Sequence, residues 1–415
     1  MKESAHTLVE KARVGRSGLA AVIVALSLSA AARPAIFLAE RMYAAPGVEC
    51  NVYFKNVTDA IVPDRYAWNV KCKYGKHENF RWTFVAKDAD AGTEFPLVLE
   101  MWNDELGLVT AATTTVKVAK LPDDRTRSLT IALLGDSLTG CRFQDQTAAR
   151  LKESGLVGVK SVGSNAGAFN HDGYGGFSWD SFLTRYVIAV DEIDNLQREA
   201  EKEQLRKFGV KIPEGQEWRK RLLKSPLVKI ADGKKLVDVQ RWFDKVNGGK
   251  APDVIVVELG TNDVFDEGEY DRDAKRDGVL AAAKRLLKAL RDAAPASVIA
   301  IMTIPPGADS DSFGANYGCL QSDFIFRRNI VAYNRALEEL VKSSGDQKIV
   351  LVPSHAAVDT VYGSIVREEK ANAHSDRKVT RCANAVHFDR TGAKQFGDAL
   401  YAWLADFIGG RRGEF

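Results

Sequence analysis

A serine and a histidine far apart in the chain are the residues best suited to do chemistry together. Ser137 follows an apolar run, residues 129–134, that halts at Gly135-Asp136. A buried parallel strand ends this way, in a tight turn at the carboxyl edge of a sheet, and that edge is where open α/β folds keep their active sites. A serine hydroxyl is a poor nucleophile until a base takes its proton and hydrogen-bond donors await the oxyanion. His387 is the candidate base. Asp136-Ser137 by itself reads more readily as a turn or helix cap, since both residue types favour such positions, so the case rests on what accompanies it.

Three other stretches accompany it. Residues 171–179, His-Asp-Gly-Tyr-Gly-Gly-Phe-Ser-Trp, form a glycine-rich loop in which a backbone N–H can approach a ligand with no side chain in the way; Gly176 is the candidate donor. Residues 256–263, Val-Val-Glu-Leu-Gly-Thr-Asn-Asp, run a strand into a polar turn, and Asn262 at its end can aim an amide NH2 into a site beside Ser137. Residues 384–392, Asn-Ala-Val-His-Phe-Asp-Arg-Thr-Gly, place His387 in a loop before a terminal helix. Of the other histidines, His171, His355 and His374 remain as rivals, but none has that downstream helix. The Gly-x-Ser-x-Gly elbow is not met, because Thr139 stands where its last glycine belongs.

Stepping outward, the elements that must hold these residues are legible in hydrophobic period. The chain has 415 residues and a formal charge of +3, part of it amino-terminal. No basic stripe interleaved with aromatics is present, which argues against a nucleic-acid partner. Residues 1–32 read as an export signal: basic residues, a short apolar run, then Ser-Ala-Ala-Ala. The expectation is a secreted or periplasmic protein with no stable membrane insertion after cleavage; an uncleaved anchor or a buried helix is the alternative. From 47 to 120 the pattern alternates, with Cys50, Val52 and Phe54, Trp68, Val70 and Cys72, Phe80, Trp82 and Phe84, Leu97, Leu99 and Met101, and Val116 and Val118 facing one way. That is a small antiparallel sandwich. After a polar linker, apolar strands at 129–134, 157–162, 254–259, 297–304 and 348–352 alternate with helical patterns such as 278–293 and 330–342. The expected class is α/β, with a five-stranded parallel sheet between helical layers over 128–409. A charged insertion at 191–224 reads as a solvated helical pair, with a mobile lid as the alternative.

Taken in order, the four stretches resemble the four blocks of the SGNH, or GDSL, hydrolase superfamily, and a looser likeness points to a secreted subgroup that carries a β-sandwich in front. The resemblance implies a three-layer αβα, flavodoxin-like domain with strand order 2-1-3-4-5. It implies Ser137 as nucleophile, His387 as general base, and the Ser137 N–H, Gly176 and Asn262 as oxyanion hole. One position departs: Asn384 stands where the family carries the aspartate that orients its histidine. Three readings stay open, namely a working dyad in which the Asn384 carbonyl holds the ring, a substitute acid in Asp389 or Asp359, or a slow or inactive enzyme. Asp136 is expected to organise its turn. With export in view, Cys50–Cys72 is the first candidate disulfide and Cys319–Cys382 a second, the alternative for the latter being two buried thiols; Cys141 is left over. No His, Cys or Asp cluster has metal-ligand spacing, so catalysis without metal or cofactor is expected. The resulting expectation is an exported serine esterase acting on a small-molecule or polysaccharide ester, foremost O-acetyl groups on carbohydrate. A lipase or lysophospholipase, or a non-catalytic carbohydrate-binding protein retaining the fold, is the alternative.

Overall fold

The structure, a computed structural model, describes residues 33–185, 225–231, 234–265, 272–319 and 321–410. The expected export signal and the whole of the charged insertion lie outside these. The amino-terminal part is all β, in two sheets. Strands β1 (Arg41–Ala44), β7 (Leu108–Val118), β6 (Glu94–Trp102) and β3 (Ala67–Lys71) form one, and β2 (Glu49–Tyr53), β5 (Arg81–Val85) and β4 (Lys76–His77) the other. Their inner faces share a core of Val52, Trp82, Phe84, Leu97, Leu99, Met101 and Val116. The period-two pattern locates that core but fails at Phe80, which stands just before β5 and is 59% exposed.

The carboxyl-terminal part is a parallel sheet between two helical layers. Its strands are β8 (Leu129–Gly135), β9 (Val159–Val162), β10 (Asp172–Gly173), β13 (Val254–Glu258), β14 (Val298–Met302) and β15 (Ile349–Val352), with the hairpin β11 (Val228–Ala231) and β12 (Lys234–Val237) set apart. Both β9 and β10 pair with the same side of β8, and β13, β14 and β15 follow on the other, so the order is 2-1-3-4-5 with the second position shared by two short strands. Successive residues of each strand feed opposite cores. Ala132, Leu134, Ile255, Val257, Ile299 and Ile301 face helices α4 (Val239–Asn247), α6 (Arg272–Ala293) and α8 (Asp323–Ser344), while Ile131, Leu133, Val254, Val256, Ala300 and Met302 face α2 (Phe143–Glu153) and α9 (Arg390–Gly410). A sheet covered on both sides requires such continuous apolar runs. Among the described residues, no helix is long and apolar enough to cross a membrane.

The two parts are joined by buried polar contacts. Asn56 donates both amide hydrogens to the carboxyl-terminal part, to His355 O at 3.0 Å and Val358 O at 2.7 Å. In return, the buried Arg327 of α8 donates to Ala60 O and Ile61 O.

Neither expected disulfide forms: all five cysteines are thiols. Cys50, on β2, and Cys72, just past the end of β3, sit at the same core, and the Cys50 thiol is directed to Tyr43 O instead. Cys382 is turned to Val361 O, while Cys319 is exposed at the end of helix α7 (Ser310–Tyr317). The tether expected of that second pair is supplied by an amide, since Asn316 donates to Ala383 O and accepts from Ala385 N. Thiol titration of the denatured, unreduced protein is therefore expected to count five groups per chain, and dithiothreitol is expected to leave the melting temperature unchanged; a count of three or one would contradict the free-thiol state.

Candidate active site

Ser137 lies at the topological switch point, where β8 has β9 and β10 on one side and β13 on the other, the place this class of sheet reserves for ligands. Gly135 ends β8, Asp136 is the N-cap, and Ser137 opens the short helix α1 (Ser137–Gly140), with Asp136 Oδ1 accepting from Leu138 N at 2.8 Å. Turn, cap and exposed hydroxyl are thus one feature, and Ser137 is half-buried. Gly135 has no room for a side chain, because a Cβ there would stand 1.9 Å from Thr139 Oγ1. Thr139, which breaks the elbow pattern, fills that space and bonds to Glu258.

The turn rests on two buried carboxyl groups. Glu258, last residue of β13, is fully buried, and its Oε2 accepts from Thr139 Oγ1 at 2.9 Å, Thr139 N at 3.2 Å and Asp136 N at 3.4 Å. Its Oε1 accepts from nothing. Asp136, also fully buried, takes Leu138 N on one oxygen and Asn262 Nδ2 at 3.2 Å on the other. Burial raises both carboxyl groups; the Asp136 charge raises Glu258 further, whereas donors from Leu138, Glu258 and Asn262 draw Asp136 back down. Burial thus favours the neutral form of both groups, and charge on one opposes charge on the other. Sequence reasoning assigned Glu258 no role; the one signal available was an ionisable residue ending an otherwise apolar central strand.

The glycine loop is stitched to this turn from both sides. Tyr174 N donates to Gly135 O at 3.0 Å, and a Cβ built at Gly175 would lie 4.0 Å from Ser137 Cβ. Gly176 is exposed with φ of 72°, a left-handed conformation that glycine adopts at no steric cost. Asn262, in the one-turn helix α5 (Thr261–Val264), donates its second amide hydrogen to Phe177 O at 2.9 Å. Both its amide hydrogens are thus engaged, and an oxyanion it served would compete with the longer bond to Asp136. Asp263, not singled out from sequence, holds Trp179 N at 3.1 and 3.3 Å.

On the other side stands the histidine loop. Asn384 Oδ1 accepts from Val386 N at 3.1 Å and His387 N at 2.9 Å, and lies 3.0 Å from His387 Nδ1. Two backbone N–H groups identify that atom as the oxygen, so Nδ1 carries the ring proton and Nε2 keeps its lone pair. Burial lowers the imidazole below its ordinary range, which favours the neutral base. Asp389 and Asp359 are occupied in turns, the first by Thr391 N and Gly392 N, the second by Val361 N and Tyr362 N. Neither bonds the ring.

The loops of Ser137 and His387 are packed together. Leu138 and Phe388 share a core, and the Cys141 thiol reaches the Phe388 backbone. Ser137 Oγ and His387 Nε2 make no hydrogen bond to each other among the described contacts; such bonds commonly close only with substrate in place. Of the rival histidines, His355 is buried against Phe37 with its pKa pushed down to about 4, His374 is exposed, and His171, at the start of the glycine loop, accepts from Gly173 N.

Sheet order, the position of the serine turn and the four assembled stretches define an α/β acylhydrolase of the SGNH type. The family model described as GDSL-like Lipase/Acylhydrolase matches residues 131–400, and the chain belongs to that family; it is a carboxylic ester hydrolase. Among solved structures, it is similar to a carbohydrate esterase of family 3 from Talaromyces cellulolyticus, at 16% identity and TM-score 0.40, covering 68% of this chain and 100% of that one. It is similar also to a family 3 carbohydrate esterase from Clostridium thermocellum, at 13% identity and TM-score 0.35, covering 68% and 98%. A family two carbohydrate esterase from Clostridium thermocellum, in complex with cellohexaose, aligns at 14% identity and TM-score 0.32, covering 88% and 94%. Comparison with the curated proteins found no match.

Two substitutions test the carboxyl pair. Glu258→Gln keeps an acceptor for Thr139 while removing a buried acid, and is expected to retain stability and turnover. Glu258→Ala strands buried donors and is expected to cost several kcal/mol, at about 1–3 kcal/mol per unmet group. Urea unfolding measures both, and equal losses would refute the role of Glu258 as the acceptor that holds the turn. For the histidine loop, Asn384→Asp offers the same oxygen and is expected to match or exceed wild-type kcat, whereas Asn384→Ala is expected to lower it by about 10²-fold or more, as read from 4-nitrophenyl acetate kinetics.

Proposed function

We propose that the protein is an exported esterase, secreted or periplasmic, that removes O-acetyl groups from carbohydrate by a Ser137–His387 mechanism. The observation that carries the chemistry is the Asn384 clamp, which places the proton on Nδ1 and leaves Nε2 of His387 as a base. In the first half-reaction Ser137 Oγ attacks the acetyl carbonyl carbon while Nε2 takes the hydroxyl proton. The negative charge that develops on the carbonyl oxygen is met by the N–H groups of Ser137 and Gly176 and by Asn262 Nδ2. The ester C–O bond then breaks, and Nε2–H protonates the departing sugar oxygen. Water attacks the acetyl-enzyme by the same route, which restores Ser137 and releases acetate.

An acetyl group needs little room, and the loops around Ser137 offer an open glycine edge at Gly175 and Gly176. Export is supported by the amino-terminal pattern of basic residues, apolar run and small residues.

Ser137→Ala is expected to abolish turnover of acetylated sugars and short aryl esters, and a fluorophosphonate is expected to label wild type once, at Ser137. Because burial holds His387 low, the neutral base persists below the pH at which a free imidazole becomes protonated. The acid limb of kcat/KM is therefore expected to fall at a midpoint below about 6.5. Preference for long acyl chains over acetyl would overturn the substrate assignment, and labelling that survives in Ser137→Ala would overturn the nucleophile.

A further inference from the structure

A cavity of about 1040 Å³ opens where the β sandwich meets the hydrolase part, away from Ser137. It lies at the upper end of the range for small-molecule sites, roughly 300–1,000 Å³, which gives room for an oligomer. From the sandwich side come Tyr66, Trp68 and Phe80; from the hydrolase side come Tyr362 and Asp309. Phe80 is 59% and Tyr362 77% exposed, a large exposure for two aromatic residues lining one opening. Phe54 backs one face of Trp68, with ring centroids 5.2 Å apart and planes at 20°, which leaves the half-exposed indole as a rigid platform.

We propose that this cavity is a docking cleft for a pyranose chain, which it holds while an acetylated residue of the same chain reaches Ser137. Flat rings separated by polar groups of both kinds suit a sugar, whose faces carry C–H groups that meet an aromatic π-face and whose edge carries hydroxyls. Asn56, fully buried in the cavity wall, spends both amide hydrogens on His355 O and Val358 O and so holds that wall in place. Lys55 and Asp64 supply a donor and an acceptor for sugar hydroxyls on the same side. An acyl chain would meet charged groups here, which disfavours a lipid.

The cleft is coupled to the site through the backbone. Next to Tyr362, Gly363 O accepts from Asp389 N at 2.9 Å and Ser364 bridges Phe388, so the cavity wall braces the residues directly after His387. Next to Asp309, Ala308 N donates to Ala385 O at 2.8 Å, on the other flank of the same loop.

The inference extends the carbohydrate reading of the previous subsection, and its test separates the two. The full-length Ser137→Ala protein is titrated calorimetrically with soluble β-1,4-linked hexasaccharides of glucose, xylose and mannose. Saturable binding to at least one is expected, weakened tenfold or more by Tyr362→Ala or Trp68→Ala. With Ser137 intact, Tyr362→Ala is expected to leave 4-nitrophenyl acetate turnover unchanged and to raise KM for the acetylated polymer. Tyr362 is on the surface, so its variant reports on the cleft even if Trp68→Ala unfolds the sandwich. Absence of binding to all three sugars, or binding indifferent to Tyr362→Ala, overturns the cleft. Binding that depends on Tyr362 in a protein that deacetylates no sugar supports the cleft and refutes the substrate.

Discussion

Two fully buried carboxyl groups, Asp136 and Glu258, hold the turn that carries Ser137, and burial opposes charge on both. In a low-dielectric interior, like charges at contact raise one pKa until that group keeps its proton. Burial and the Asp136 charge together raise Glu258, and donors from Leu138 and Asn262 offset the same push at Asp136. The turn after β8 then needs no bulk to hold it. Thr139 is hung from Glu258, Leu138 from Asp136, and Asn262 from Asp136 across the strand boundary. An apolar residue at the end of β13 would leave the same backbone donors buried and unmet, which explains why the most central strand of the sheet ends in a residue so costly to bury.

The histidine loop solves its positioning problem with an amide. In the serine-protease template, exchanging the orienting aspartate for asparagine costs about 10⁴ in rate because the ring adopts the wrong tautomer. Here two backbone N–H groups pin Asn384 Oδ1 toward Nδ1, and that cause of loss is absent. What the amide does not supply is a full charge to stabilise the imidazolium. The loop is made precise by other means: the Asn316 amide ties it to α7, and Gly363 and Ala308 brace it from either side.

Much of this architecture was legible in the chain because strands buried on both faces must be continuously apolar, and such runs fell where β8, β13, β14 and β15 lie, while β9, with Lys160 and Ser161, stays partly exposed. The Asp136 cap was legible for the same reason: Asp and Ser before a short helix have a local partner in the backbone. Glu258 escaped because its role exists only when β8 and β13 lie side by side, and local pattern says nothing of which strand ends meet. The cysteines misled because a shared inward face does not orient two thiols toward each other, and their partners proved to be carbonyls of neighbouring backbone. Phe80 misled because alternation gives a face, whereas the joint with a second domain decides whether that face is covered.

That joint is more polar than burial alone would select. An apolar seam would hold the sandwich against the hydrolase part equally well, yet Arg327 and Asn56 are buried there and reach across to carbonyls in fixed directions. Directional bonds set an orientation where apolar contact sets only proximity, since each loses its value if the partner slides by about an ångström. An orientation needs fixing only when something must span both parts. A chain of sugars lying across Trp68 and Tyr362 is such an object, and Asn56, one of the two residues that fix the angle, stands in the wall of the cleft.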